Sequence, residues 1–507
     1  MSPSNGEPGE WDIPKLRYSA VLQDDWELPP GEQPSFEIFD VKFYPYNPPG
    51  TAPLFAAASK KHVVIARLNE NPDQSKNPCE ILKIIRDDDE SACNCCCCWT
   101  KCPETERPWL CVAGADAKVK IYDVVEGKLV KTLVGHGGGI NDLATSPGNP
   151  YIIASASEDT TVRIWSLATV HVEQSCVCLL GGEGHSWDLL SVAFHSTGQH
   201  VISAGHDQVI NLWTLPELPT GHVDIPIVIH YPQFSTSEVH NNLVDCVAFF
   251  GDLILSRACH EDIIVLWRVE GFCSDDPPLL PSQAPTTYDP SKKTRSAFCP
   301  TLSEAQPAYF TRLLQFHTPD CMSQFYLRFN VYHVPNKHPI LAFCNAKSKI
   351  LFWDIARFGA YERYMADVKA FQAGKRMTPP EKPSFLQVKK GKKPESSAVV
   401  SASPDPQSIP NATAVSYNQV TLSEWAEMYD TTNSHGMIKP HRTVAVADYP
   451  VSFVGRQVAW STEGEWCLVV GNNNMILICQ RWGRDTKGST PFGRKGSTPA
   501  PTPSSGA

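Results

Sequence analysis

The chain has 507 residues and a formal net charge of −10 at pH 7, so nonspecific attraction of its whole surface to nucleic acid is not expected. No apolar run approaches the ~18 residues that a membrane-spanning helix needs, and the polar start MSPSNGEPGEWDIPKL does not resemble a secretory signal. We therefore expect a cytoplasmic or nuclear protein without a membrane partner.

The first predicted elements are two groups of strands that follow a short lead. We expect residues 1–20 to be flexible. Two stretches within residues 36–68, FEIFDVKFYPY and PLFAAASKKHVVIARL, alternate apolar and polar residues and so predict the strands of a first unit. A second unit covers about 93–133 and contains WLCVAGADAKVKIYDV.

A run of cysteines, CNCCCCWTKC, opens this second unit. Consecutive residues on a strand point to opposite faces, so these thiols cannot all ligate one metal ion, and no second cluster or histidine lies nearby. We predict a packed strand of reduced cysteines without disulfides; a metal site and a redox role are the alternatives. The cysteines concerned are Cys79, Cys93, Cys95, Cys96, Cys97, Cys98 and Cys102.

Two copies of one spaced pattern follow, in units of about 135–178 and 184–232. In each copy a Gly-His pair precedes a serine, an aspartate and a tryptophan, and recurrence at about 40–45 residues is typical of four-stranded propeller blades. A buried aspartate needs partners, so we interpret each set as a structural tetrad that holds its blade together. The two tetrads are His136, Ser155, Asp159 and Trp165, and His185, Ser203, Asp207 and Trp213.

Three more units complete a count of seven. The fifth contains His240, Ser256 and Trp267, but one extra residue leaves open whether Glu261 or Asp262 takes the role of the aspartate. The sixth keeps a Trp-Asp pair in ILAFCNAKSKILFWD, and the seventh ends in NMILICQRW. The fold class that we predict is therefore all-β: a seven-bladed WD40 β-propeller spanning residues 21–483.

The surplus length falls into inserts that we expect to be disordered or partly helical. They cover about 271–308 and about 356–440, where ARFGAYERYMADVKAFQAG has a helical pattern, and residues 484–507 form a disordered tail. A basic run in the second insert is interpreted as a solvated loop, with nucleic-acid contact or a targeting signal as alternatives. The run consists of Lys389, Lys390, Lys392 and Lys393.

The sequence carries no recognisable catalytic motif. The HGGG at residues 136–139 lacks the G-x-S-x-G element that would accompany it in a lipase, and neither a phosphate-binding loop nor an H-E-x-x-H zinc motif is present. We expect no enzyme activity, no cofactor and no metal. A propeller without a catalytic set offers loops on a rigid scaffold, which suits an interaction platform.

Several segments resemble the EED/Extra sex combs family of WD40 proteins. They are VGHGGGINDLATSPGNPYIIASASEDTTVRIW, GGEGHSWDLLSVAFHSTGQHVISAGHDQVINLW, HNNLVDCVAFFGDLILS, YPQFSTSEVH and FYLRF, and the likeness spans roughly residues 36–483 outside the inserts. The resemblance implies a nuclear, non-catalytic subunit of Polycomb repressive complex 2. It implies that one face of the propeller holds the N-terminal region of the SET-domain histone methyltransferase subunit. A zinc-finger Polycomb subunit belongs to the same complex, and direct DNA binding is expected to be weak if it occurs.

The resemblance also implies that the opposite face reads trimethyl-lysine in a histone H3 tail and thereby stimulates the methyltransferase. Phe39 and Tyr326 match aromatic residues of the family's methyl-lysine cage, and Phe325 stands where the family has tryptophan. Cys95 and Leu243 occupy positions where the family has tyrosine, and Arg456 matches an arginine that lines the channel.

Three other functions remain to be compared with the reader. The first is a pure scaffold whose cage, with Cys95 in place of a ring, no longer reads the mark. The second is an independent WD40 adaptor, for instance for ubiquitin ligases, which would not purify with a SET-domain methyltransferase. The third, a hydrolase, has no support in the sequence.

Overall fold

The chain folds into seven antiparallel sheets arranged as the blades of a β-propeller. The computed structural model describes residues 11–22, 37–69, 77–89, 92–286, 292–299, 301–302, 308–321, 324–387, 417–446 and 452–482. The predicted fold class is confirmed. The tail 484–507 and the basic run of lysines lie outside the described residues.

The strands up to Thr236 are short, as is usual for propellers. They are β1 Lys15–Val21, β2 Ile38–Phe43, β3 Leu54–Ser59, β4 His62–Leu68, β5 Cys79–Arg86, β6 Asn94–Lys101, β7 Pro108–Gly114, β8 Lys118–Asp123, β9 Lys128–Val134, β10 Ile140–Thr145, β11 Ile152–Ser157, β12 Val162–Ser166, β13 Cys176–Leu180, β14 Leu189–Phe194, β15 His200–Gly205, β16 Ile210–Thr214, β17 Ile227–Ile229 and β18 Phe234–Thr236. Strands β2 to β18 form blades one to four with their extensions, and β1 belongs to blade seven.

The remaining elements belong mainly to the last three blades and the inserts. They are β19 Val244–Phe250, β20 Leu253–Ala258, β21 Ile263–Val269, β22 Thr294–Ser296, β23 Phe310–His317, β24 Asn330–Tyr332, β25 Ile340–Cys344, β26 Lys349–Asp354, α1 Ala356–Gln372, α2 Gln419–Tyr429, β27 Met437–Ile438, β28 Arg442–Ala445, β29 Gly455–Trp460, β30 Trp466–Gly471 and β31 Met475–Gln480, with 3-10 turns at Thr169–His171, Pro281–Gln283 and Ser384–Leu386.

The order of strands within the sheets shows how the ring closes. Strands β2–β5 form blade one and β6–β9 form blade two, and the innermost strands of blades three to seven are β10, β14, β19, β24 and β29. Blade seven takes its outermost strand from the opposite end of the chain, because β1 pairs antiparallel with β31 from Lys15↔Gln480 to Val21↔Met475. The expectation that residues 1–20 are a flexible lead is therefore wrong for the stretch that forms β1, since hydrogen bonds to β31 order it.

The apolar core lies between neighbouring blades. The third strands of four blades each bury a tryptophan completely, and these are Trp165, Trp213, Trp267 and Trp353. Burial of an aromatic side chain of about 150–250 Å² contributes roughly 4–6 kcal/mol before the cost in conformational entropy. The tryptophans that identify the repeats in the sequence thus hold adjacent sheets together.

The predicted inserts are more ordered than their composition suggests. Helix α1 confirms the helical pattern, and α2 packs beside it on the apolar cluster between blades five and six. Three short strands within or just after the predicted insert ranges extend existing sheets: β22 pairs with β18, β27 with β23, and β28 with β26. No helix in the described part of the chain is long and apolar enough to cross a membrane.

Candidate functional site

The His136 tetrad of blade three forms a continuous hydrogen-bonded chain. The Nδ1 and Nε2 atoms of His136 lie 2.7 Å from Asp159 Oδ2 and 2.6 Å from Ser155 Oγ, and the Trp165 indole N–H donates to the same hydroxyl at 2.8 Å. Burial lowers the pKa of His136 more than Asp159 raises it. Burial alone would raise the pKa of the Asp159 carboxyl, but its hydrogen bonds with His136 and the Gly137 N–H lower it overall. Every polar group has a partner, so the set serves structure.

The second tetrad repeats this geometry in blade four. His185 Nδ1 lies 3.0 Å from Asp207 Oδ2, and its Nε2 lies 2.7 Å from Ser203 Oγ. The Trp213 indole donates to the Ser203 hydroxyl at 2.8 Å. The repeated spacing in the sequence therefore corresponds to a repeated set of contacts.

Blade five holds a third tetrad in which glutamate replaces aspartate. Glu261 Oε2 lies 2.6 Å from His240 Nδ1, whose Nε2 lies 2.7 Å from Ser256 Oγ, and the Trp267 indole donates to Ser256 at 3.0 Å. Asp262 instead accepts the backbone N–H of residue 321 through its carboxylate. The longer glutamate side chain spans the distance that the one-residue insertion adds to the turn, which answers the question left open by the sequence.

Blade two has a cluster of charged side chains where blades three to five have a tetrad. The Lys120 ammonium lies 2.6 Å from Asp87 Oδ2 and 2.7 Å from Asp116 Oδ2. The Asn94 amide also donates to Asp87, at 3.2 Å. Desolvation would lower the pKa of Lys120, but the two carboxylates outweigh it and raise the pKa. An ion-paired lysine here takes the place of the His-Ser-Trp set.

The candidate binding site lies where the innermost strands begin, at one mouth of the central channel. Six of the seven innermost strands start with a one-residue β-bulge. A bulge leaves one residue unpaired and changes the direction of its side chain, and bulges are common next to functional sites. We call these residues the mouth ring: Phe39, Cys95, Asn141, Leu190, Asp245 and Arg456.

Blade six completes the mouth with an irregular segment instead of a bulge. Phe325 and Tyr326 precede β24, and Tyr326 has a left-handed φ of +59°, which is unusual for an aromatic residue. The Tyr326 hydroxyl donates to the Asn141 carbonyl at 2.6 Å and lies 3.5 Å from the Cys95 carbonyl, while its backbone N–H donates to Asp245 at 2.8 Å. Tyr326 therefore touches three members of the mouth ring.

The two rings of blade six differ in exposure. Tyr326 is only 8% exposed, and the Arg328 guanidinium lies 4.5 Å from its ring centroid. Phe325 is 51% exposed, and the two ring centroids are 6.4 Å apart with their planes at 70°. An incoming cation would thus find the open face of Phe325 beside an immobilised tyrosine.

Arg456 fixes the position of Phe325. The Arg456 Nη1 donates to the Phe325 carbonyl at 2.9 Å, and its Nε donates to Glu37 at 2.5 Å. Phe39 is half-buried and lies two residues after Glu37 on β2. Blades one, six and seven are therefore joined at the mouth by one arginine.

Two of the predicted site residues behave differently from the aromatic members. The thiols of Cys95 and Cys96 lie 3.2 and 3.7 Å from the same Ile140 carbonyl, because the bulge at Cys95 turns both side chains to one side. The prediction that consecutive cysteines point to opposite faces of the strand is wrong for Cys95 and Cys96.

The backbone of Leu243 is bonded within blade five: its carbonyl accepts from the Cys259 N–H at 2.9 Å. Its backbone N–H donates to the Asn242 side chain at 2.9 Å.

Four cysteines of the run, Cys95 to Cys98, lie on the innermost strand of blade two. All 18 cysteines of the chain are free thiols. Within the described ranges, no group of three or more histidine, cysteine or acidic side chains is arranged to hold a metal ion.

Sequence reasoning missed the charged residues beneath the mouth. Arg328 Nη1 lies 2.7 Å from Asp142 Oδ2, and its Nη2 donates to the carbonyls of Asn141 at 3.1 Å and Leu190 at 2.6 Å. The Asp142 carboxylate also accepts the Val192 N–H at 2.9 Å. A signal was present, since an aspartate recurs near the start of the innermost strands in IFDV, INDL and VDC.

Comparisons with known proteins agree with this architecture. The family described as "WD domain, G-beta repeat" matches residues 127–166 and 175–214. The Polycomb protein EED of Chaetomium thermophilum is 53% identical over 94% of this chain and 98% of its own length. The Polycomb protein esc of Drosophila melanogaster is 31% identical over 46% of this chain and 56% of its own length.

Two solved structures superpose closely. A chain in an active Polycomb repressive complex 2 in the basal state is 59% identical, with a TM-score of 0.83, and covers 94% of this chain and 99% of that chain. A chain of ctPRC2 in complex with H3K27me3 and H3K27M is 58% identical, also with a TM-score of 0.83, and has the same coverage.

Proposed function

The chain belongs to the EED family of Polycomb WD40 proteins, and from that premise we propose that it is a nuclear, non-catalytic scaffold and methyl-lysine reader subunit of a Polycomb repressive complex 2 histone H3 methyltransferase. The observation that carries the reader function is the position of Tyr326. Its ring comes from blade six, and its polar groups bond blades three and five at the mouth of the channel.

A methylated lysine suits this mouth for a physical reason. A trimethylammonium group has no N–H donor and is attracted to the π-faces of aromatic rings. Phe325 and Phe39 offer partly exposed rings, while the Tyr326 hydroxyl is already bonded and does not compete for the ligand. The Asp142 carboxylate balances the charge of Arg328 behind the tyrosine ring.

We place the methyltransferase on the opposite face. There the far half of the channel opens into a cavity of about 300 Å³, whose lining includes Trp99, Phe194 and Phe329. A second cavity of about 360 Å³ lies between blades one and seven. The N-terminal region of the SET-domain subunit would occupy this face, and the zinc-finger subunit would join through the same complex. The net charge of −10 makes direct DNA binding weak.

A peptide titration tests the reader. The complex of this chain with its methyltransferase partner would be titrated with trimethylated and with unmodified histone H3 tail peptide, using wild type and Phe39→Leu. We expect wild type to prefer the methylated peptide, and Phe39→Leu to lose part of that preference while still purifying with the methyltransferase. Equal binding of both peptides by wild type would refute the reader.

A pure scaffold is the second candidate, and Cys95 favours it. A thiol at this member of the mouth ring provides no π-face, and its S–H is directed to the Ile140 carbonyl. Each missing ring removes about 0.5–2 kcal/mol of attraction. Under this alternative the chain still holds the methyltransferase but does not raise its activity when methylated peptide is added.

A further inference from the structure

Lys382 lies in an aromatic enclosure far along the chain from the mouth ring. Its ammonium nitrogen is 4.7 Å from the ring centroid of Trp425 and 5.1 Å from that of Tyr417. The two ring centroids are 4.8 Å apart, with their planes at 63°. Lys382 precedes the 3-10 turn Ser384–Leu386. Tyr417 lies two residues before α2, and Trp425 lies within α2. The enclosure therefore joins the two segments that flank residues 388–416.

This environment differs from those of three other lysines that have close partners. Lys120 is held by two carboxylates, and Lys42 lies 3.4 Å from Asp40. Lys101 lies 4.6 Å from the Tyr46 ring centroid, but its nitrogen also pairs with a glutamate at 3.1 Å. Neighbouring carboxylates raise the pKa of Lys42 and of Lys120, whereas burial lowers the pKa of Lys382. Lys382 is thus surrounded by rings rather than by acids.

Two rings without a carboxylate fit a methylated ammonium better than an unmodified one. A primary ammonium carries three N–H donors, and π-faces satisfy them poorly. Each methyl group replaces one donor by apolar surface, spreads the charge and lowers the cost of removing the group from water. The Tyr417–Trp425 enclosure therefore favours Lys382 increasingly with each methyl group.

The chain around Lys382 is also irregular and partly exposed. Residues 379–383, PPEKP, are neither helix nor strand, and Glu381 is exposed. Pro383 disfavours helical geometry at Lys382 and keeps the backbone extended. An extended peptide is the form that enters a peptide-binding groove at low entropic cost.

We propose that Lys382 is a lysine methylation site and that Tyr417 and Trp425 hold its methylated side chain in place. The reaction requires a protein lysine methyltransferase and a sulfonium methyl donor. In each transfer the ammonium first gives a proton to water, and the lone pair of the resulting neutral amine forms a C–N bond to the methyl carbon. The C–S bond breaks and sulfur leaves as a thioether, so the nitrogen gains one methyl group and is positively charged again. The modified lysine then fastens α2 to the segment before Ser384.

Mass spectrometry of the full chain from its native cells tests the modification. The peptide that contains Lys382 should carry one to three methyl groups, whereas the peptide that contains Lys101, which also lies over a ring, should be unmodified. Recovery of the Lys382 peptide only in its unmodified form would overturn the proposal.

Hydrogen exchange tests the enclosure separately. Trimethyl-lysine placed at position 382 by codon reassignment should slow amide exchange in α2 about two- to five-fold relative to unmodified lysine. The slowing should be absent in a trimethylated Tyr417→Leu protein. Equal exchange in trimethylated and unmodified protein would overturn the role of the rings. The outcome does not depend on whether the mouth ring binds histone peptide.

Discussion

Substitution of Phe325 should change peptide binding without changing the stability of the fold. Its side chain is 51% exposed, so its removal leaves the core intact, and any loss of peptide affinity reports on the mouth itself. Of the roughly 200 Å² of an aromatic side chain, about 100 Å² is open to a ligand. If a lysine stem covers about 30 Å² of it, apolar burial contributes about 0.8 kcal/mol.

The attraction between the ring and the cation adds to this burial. At an exposed site it amounts to about 0.5–1 kcal/mol, so Phe325→Ala should cost about 1.3–1.8 kcal/mol and weaken the Kd for trimethylated peptide about 10- to 20-fold. Phe325→Leu keeps most of the apolar contact and loses the π-face, so it should weaken the Kd about two- to five-fold.

Calorimetric titration of the methyltransferase complex measures both variants. The unmodified peptide is the matched control, because it lacks the quaternary ammonium and should respond only to the apolar loss. Thermal unfolding of Phe325→Ala should match wild type within the usual scatter for an exposed position. If Phe325→Leu binds trimethylated peptide as tightly as wild type, Phe325 is not a wall of the cage.

Further predictions concern stability. Ser203→Ala removes the hydroxyl that accepts from the Trp213 indole and bonds to His185 Nε2, and it should destabilise the fold by about 2–4 kcal/mol in urea unfolding; a loss under 0.5 kcal/mol would show that the hydroxyl is dispensable. Glu261→Gln should lower the free energy of unfolding by about 1–2 kcal/mol. Glu261→Asp has a side chain too short to reach His240, so it should also lower the temperature of thermal unfolding. Burial lowers the pKa of His441 to about 3. Below pH 6.5 His441 binds a proton in the unfolded chain but stays neutral in the folded chain. The free energy of unfolding should therefore fall by up to about 1.4 kcal/mol per pH unit between pH 6.5 and 5. His441→Gln should flatten this slope, and an unchanged slope would contradict it.

The tetrads show which parts of the fold could be predicted from sequence. The Ser-Asp-Trp spacing is local and periodic, so it identifies blades three and four without knowledge of the rest of the chain. Blade five needed the structure, because its turn is one residue longer and the sequence left both Glu261 and Asp262 as candidates for the bond to His240. Blade two was harder still: Asp116 and Tyr122 keep the second interval of the repeat, but Asp116 pairs with Lys120 instead of a histidine.

The mouth of the channel could be predicted only in part. The family resemblance located Phe39 and Tyr326, but the network beneath them depends on contacts between distant blades. Arg328 reaches carbonyls that lie 187 and 138 residues earlier in the chain. A β-bulge also reverses the facing of Cys95 relative to simple alternation. Neither feature follows from a period of two along a strand.

The pairing of β1 with β31 sets a condition on how the protein is made. Lys15 is synthesised long before its partner Gln480. Throughout translation the growing ring is an open arc with two unpaired edges, and exposed strand edges invite pairing with other chains. Contacts of such long sequence separation also form slowly. The nascent chain therefore needs protection until its last blade leaves the ribosome, and a cell that overproduces it should accumulate it first in the aggregated fraction.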